Sequence, residues 1–123
     1  MSNERILVVI KRVGCKPTAE LVSPRLEALQ AIVGGYIQAI GRLQIPAAPD
    51  GSIVDVQLYS NEETDELPPN FVHPSGDVIA GDVVWIAADK CGNEISIPDD
   101  VLPSVLAFTE AFSPQTDAEE VAS

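Results

Sequence analysis

Residues 23–40, SPRLEALQAIVGGYIQAI, leave the backbone little choice. Ser23 is a candidate helix N-cap, because its hydroxyl accepts an otherwise orphaned backbone N–H. Pro24 suits the first helical position, where a missing N–H does no harm. Leu26, Leu29 and Val33 then recur at helical spacing. Gly34 and Gly35 stop the helix, since glycine accepts the left-handed conformation that a C-terminal cap needs. Residues 36–40 resume as a strand.

The rest of the chain reads around this unit. Ile6, Leu7, Val8, Val9 and Ile10 form an unbroken apolar run within a strand over residues 5–12. Such a run suits a strand covered on both faces. Gly14, Cys15, Lys16 and Pro17 make a connecting loop, and residues 19–22 a short extended piece leading to the helix. The turn formers of QIPAAPDGS predict a loop over residues 44–52. Over residues 53–60, Val54, Val56 and Leu58 alternate with Asp55, Gln57 and Tyr59, the pattern of a half-buried antiparallel strand.

Residues 61–78, with their acids and prolines, exclude a long regular element, although a helical turn fits residues 62–66. A strand over 81–88, a turn at 89–93 and a returning strand over 94–97 read as a hairpin. Pro98, Asp99 and Asp100 open a second helix whose apolar stripe is Val101, Leu102, Val105, Leu106 and Phe108. Pro103 is tolerable there only in the first turn. The reading is one α+β domain over residues 1–112, with a mixed, largely antiparallel sheet, one helix after the first strand and a C-terminal helix. Residues 113–123 read as a disordered acidic tail.

Composition narrows the function classes. No apolar run approaches the roughly 20 residues of a membrane helix, and the N-terminus lacks the shape of a secretory leader. A cytoplasmic protein with no membrane contact is expected, with Cys15 and Cys91 reduced. The net charge of −12 is lopsided. Residues 1–45 hold six of the seven basic side chains and three acids; residues 46–123 hold sixteen acids and one base. Direct nucleic-acid binding is not expected, because phosphate contacts need clustered lysine and arginine.

Catalytic signals are missing. His73 is the one histidine. A nucleophile at Cys15 or Cys91 with His73 as base and Asp77 as orienter has no local sequence support. No CxxC or HxxxH spacing holds two metal ligands together. The acidic run NEETDE lacks the glycine and closing glutamate of a calcium loop. The Gly34–Gly35 pair follows a helix, whereas phosphate cradles follow a strand and open a helix. Glu62, Glu63, Asp65 and Glu66 serve acid–base chemistry only if one of them is buried. No enzyme, cofactor or metal is expected.

Three blocks, VGGYIQAI, NEETDELPPN and IAGDVVWIAAD, resemble the small DUF3846-type proteins of bacteriophages, plasmids and their hosts. The likeness spans roughly residues 5–102, and its distinctive parts are VGGY and NEE…LPxN. It implies a compact α+β domain of mobile-element origin and no known activity. It also implies Gly34, Gly35, Tyr36, Asn61, Glu62 and Asn70 as a recognition surface.

Two functions fit. The first is a non-enzymatic interaction protein that binds a host protein with a basic surface, a defence component being one class, through its acidic second half. Tyr59, Phe71 and Trp85 would anchor that complex if exposed. The alternative is a homo-oligomeric binder of a small nucleotide signal, held by the Gly34 and Gly35 backbone N–H groups and by Asn61 and Asn70.

Overall fold

The computed structural model describes residues 5–47, 52–63, 67–72, 76, 78–89 and 91–111. In chain order the elements are β1 (Ile6–Lys11), β2 (Thr18–Val22), α1 (Leu26–Val33), β3 (Ile37–Ala47), β4 (Ser52–Asn61), β5 (Pro69–Val72), β6 (Val78–Ala80), β7 (Val83–Ala88), β8 (Glu94–Ile95) and α2 (Leu102–Ala111). The larger sheet runs β2-β1-β7-β4-β3 with β8 added to β7, and β5 pairs with β6 in a smaller one. Every strand pair among the described residues is antiparallel. This is the expected α+β architecture, with a helix after the first strand and another at the C-terminal end.

Alternate residues of one strand point to opposite faces, and here each face has its own core. Val9, Val56, Leu58, Val83, Trp85 and Ala87 meet Val101 just before α2, Val105 of α2, and Phe71 and Ile79 of the small sheet. Ile6, Val8, Ile10, Val84 and Ile86 project the other way, onto Leu29 and Val33 of α1. The continuous apolar runs of β1 and β7 therefore do what they imply, filling two cores at once. β7 pairs with β1 only through residues 83–85. Farther along, β8 takes the place beside β7, and Leu7 instead accepts from Ile97 N and donates to Ser96 Oγ, at 2.9 and 2.8 Å.

β3 changes phase midway. Ile37 packs on the α1 side, yet Leu43 and Ile45, an even number of residues later, pack on the α2 side. Ala39 pairs with Tyr59 and Gly41 with Leu58, so Ile40 is an extra residue. One inserted residue reverses every later side chain. Arg42 and Gln44 thereby reach the polar face, both against Asp55, at 3.7 and 3.1 Å.

Several local expectations are corrected. The N-cap of α1 is Arg25, in extended conformation and with no side-chain cap. Ser23 Oγ accepts the Arg25 N–H at 3.2 Å, a local turn that competes with capping and delays the helix past Pro24. Leu26, first in the helix, is 55% exposed and lies outside the buried stripe. Supplying the missing acceptor with Arg25→Ser is expected to stabilise the protein by about 1 kcal/mol, read as a higher melting temperature.

Of the loop expected over residues 44–52, residues 44–47 and 52 are strand, and 48–51 lie outside the described residues. β3 continues through Ala47, with Pro46 opposite Ile53. An edge strand tolerates a proline because its outer side bonds to nothing. The described part of residues 61–78, where a long regular element is not expected, holds the four-residue β5 and the first residue of β6. Asp99 and Asp100 precede α2 instead of occupying its first turn, and Pro103 falls where proline is harmless. Residues 64–66 of the expected helical turn, and the tail 113–123, lie outside the described residues. Cys15 and Cys91 are free and exposed. They follow opposite ends of the β1–β7 pair, beyond the roughly 7 Å between Cα atoms that a disulfide spans.

Candidate functional site

One end of the larger sheet gathers the residues singled out above. β3 begins and β4 ends there, with Ile37 opposite Asn61. β1 ends and β7 begins there, with Lys11 opposite Val83. All six predicted recognition residues lie at this end, but in three different roles.

Gly34, Gly35 and Asn61 form a joint. Gly34 has φ of 85°, the left-handed conformation its helix-stop role requires. The Gly34 and Gly35 N–H groups both donate to Gln30 O, at 2.8 and 3.1 Å. Asn61 Nδ2 donates to Val33 O at 3.2 Å, and its Oδ1 accepts the Glu63 N–H at 2.8 Å. The buried amide thus closes the carbonyl end of α1 and orders the chain after β4. A Cβ on Gly35 would stand 2.8 Å from Asn61 Nδ2, so the second glycine serves close packing. Both backbone N–H groups are spent on the helix, and a helix C-terminus carries partial negative charge that repels an anion.

Asn70 belongs to a second joint rather than to a surface; it is 1% exposed. Its Nδ2 donates to Lys11 O and Gly81 O, at 2.8 and 2.7 Å. Its Oδ1 accepts from Lys11 Nζ at 2.8 Å, and Lys11 Nζ also donates to Arg12 O at 3.1 Å. Burial pushes the Lys11 ammonium below the usual lysine range, against opposing pulls from Cys15 and Asp82. Gly81 N–H donates to Pro68 O at 2.8 Å, and Asp82 Oδ1 accepts the Val13 N–H at 2.9 Å. Sequence reading missed Lys11. Its signal is phase: two residues after Val9, it must share the buried face.

This end exposes Tyr36, at 71%, with Glu62 and Glu63, and, after β1, Arg12, Cys15 and Lys16. Glu62 N–H donates to Tyr36 O at 2.7 Å, so the two chains run side by side. Ion pairs among the described residues are Arg12–Glu20, Lys16–Glu110 and Arg42–Asp55, at 2.6, 4.0 and 3.7 Å. The hydrogen bonds from Arg12 and Thr18 hold the Glu20 carboxyl below the usual range. None of these pairs involves Glu62, Glu63 or Asp82. The described acids of the second half fall at both ends of the sheet: Glu62, Glu63 and Asp82 lie at this end, which also carries Lys11, Arg12 and Lys16, and Asp89, Glu94, Asp99 and Asp100 lie at the other.

Three expected anchors are corrected. Trp85 and Phe71 are buried, and Tyr59 is half-buried with its hydroxyl donating to Gln57 Oε1 at 2.8 Å. Trp85 and Phe71 occupy core phases of their strands, and the Trp85 ring meets Phe108 edge to face. His73 and Asp77 lie outside the described residues. Among the described residues no three histidine, cysteine or acidic side chains gather as metal ligands. No described helix is long and apolar enough to cross a membrane.

The chain belongs to the DUF3846 family, a domain of unknown function whose model matches residues 5–113. No curated protein matches the chain, and no solved structure does.

Proposed function

We propose that this DUF3846 member is a non-enzymatic interaction protein that docks the corner formed by Tyr36, Glu62 and Glu63 on a basic surface of a protein partner. The observation that carries this reading is an exposed aromatic ring beside two carboxylates outside every described ion pair. A tyrosine offers large contact area at low conformational cost and attracts cationic side chains through its ring face. Glu62 and Glu63 steer the encounter and disfavour acidic competitors. The Gly35–Asn61 joint supports the reading by holding the corner in one geometry before binding, which lowers the ordering cost. The mobile-element setting implied by the sequence resemblance makes a host cytoplasmic protein the partner class, with defence components first among those to test.

The experiment is affinity capture from host lysate at low and moderate salt, followed by titration of the captured protein. Binding is expected to weaken as salt rises. Tyr36→Ala should weaken it about tenfold or more, as for an interface anchor. The Glu62→Lys/Glu63→Lys pair should slow association with the melting temperature nearly unchanged. Capture that both variants retain at full strength would refute this assignment.

A further inference from the structure

β3 is the outermost strand of the larger sheet. Edge strands present free N–H and C=O groups, which proteins ordinarily blunt with bulges, proline or charge. On β3 the bulge sits at Ile40 and the proline at Pro46, and residues 41–45 between them run in regular register with β4. That stretch carries no carboxylate in a chain of net charge −12. Its one charged residue, Arg42, faces Asp55 of its own chain. α1 packs across β3, β4 and β7 on one face, and on the other Val105 of α2, with Phe71 and Ile79 of the small sheet, packs on the core residues of β1, β4 and β7. Leu43, Ile45 and Val54 on that second face remain only half-buried.

The geometry points to a second copy of this chain as the occupant of the β3 edge, paired antiparallel about a two-fold axis at Leu43. In that register Leu43 meets its own equivalent, Gly41 meets Ile45, and Arg42 meets Gln44 twice. The half-buried apolar strip becomes continuous across both copies, and the polar strip continues on the opposite face. A basic partner gains nothing from a neutral strip, whereas two strongly acidic copies can meet only where neither brings net negative charge. The dimer stands whether or not the Tyr36 corner docks. The two also differ in sign, since salt screens repulsion between two anionic copies but weakens attraction to a cationic partner.

Sedimentation equilibrium of the full chain across a salt series tests it. A reversible dimer that tightens with salt is expected. Gln44→Arg sets like charges opposite Arg42 at two symmetric places and should weaken the dimer about five-fold. Gln44 lies against Asp55 in its own chain, so this variant keeps its melting temperature, separating dimer loss from misfolding. Gln44→Glu should tighten the dimer by a similar factor, and Leu43→Lys should abolish it. A chain still monomeric at roughly 1 mM in high salt overturns the proposal. So does a dimer indifferent to both Gln44 substitutions.

Discussion

Asn70→Leu is expected to cost the fold about 3–5 kcal/mol, a large share of the roughly 5–15 kcal/mol that holds a domain together. Leucine fills the volume but accepts nothing from Lys11 Nζ, and it leaves Lys11 O and Gly81 O without the donor they now share. Lys11 is only 2% exposed, so the ammonium cannot turn to water without opening the joint between β5 and the larger sheet. Urea denaturation followed by the fluorescence of Trp85, the one tryptophan, measures the loss. A cost below about 1 kcal/mol would mean that the joint is not closed as described. Lys11→Met in the Asn70→Leu background should recover part of the loss, because an apolar pair removes the stranded charge.

The same lysine makes a pH prediction with a definite sign. Burial holds its folded pKa below the ordinary lysine value of 10.5. Between those two values the unfolded chain holds the proton more often than the folded chain does. Stability from this group therefore rises with pH across that window and levels off above 10.5. As pH falls through the folded value, that contribution is lost. Lys11→Met should remove the alkaline rise, and Asn70→Leu should be least damaging where the amine is neutral.

Gly35→Ala is expected to cost about 2–3 kcal/mol, although the backbone at Gly35 is not in the left-handed region and would accept alanine. The added methyl would stand 2.8 Å from Asn61 Nδ2 and 3.1 Å from its Oδ1. Either Asn61 turns away and abandons Val33 O and the Glu63 N–H, or the backbone shifts. Gly34→Ala meets only a 3.9 Å contact. Its penalty, about 1–2 kcal/mol, comes from the left-handed backbone instead. A double-mutant cycle separates these causes. With Asn61→Ala in place the Gly35 clash disappears, so Gly35→Ala and Asn61→Ala should couple by about 1 kcal/mol or more, while Gly34→Ala and Asn61→Ala should add. Equal additivity for both glycines would refute the close-packing role. Because the joint also sets the Tyr36 corner, Gly35→Ala should weaken partner binding as well.

The two joints show where sequence reading succeeds and where it stops. VGGY, NEE, LPPN and GD were legible as blocks, but not as contacts. The structure makes them neighbours: Gly35 against Asn61, Tyr36 beside Glu62, and Asn70 on Gly81. The resemblance implies a recognition surface that includes Asn61 and Asn70, yet both are buried. Their burial depends on carbonyls contributed by distant segments, Val33 for one and Lys11 and Gly81 for the other. Tyr36 is exposed, whereas Trp85 and Phe71, anchors only if exposed, are buried, because residue type carries no information about which face a strand turns inward.

Short-range chemistry was written in the residues themselves. The helix stop at Gly34, the turn before β8, the doubly covered strands β1 and β7 and the α+β class all follow from dihedral preferences and hydrophobic period within a few neighbours. Long-range pairing settled the remainder. The extra residue at Ile40 inverts the second half of β3, Lys11 is drawn under β5, and the acids of the second half are parted between the two ends of the sheet. Each of these depends on which strand lies beside which, and register is a property of the pair rather than of either segment.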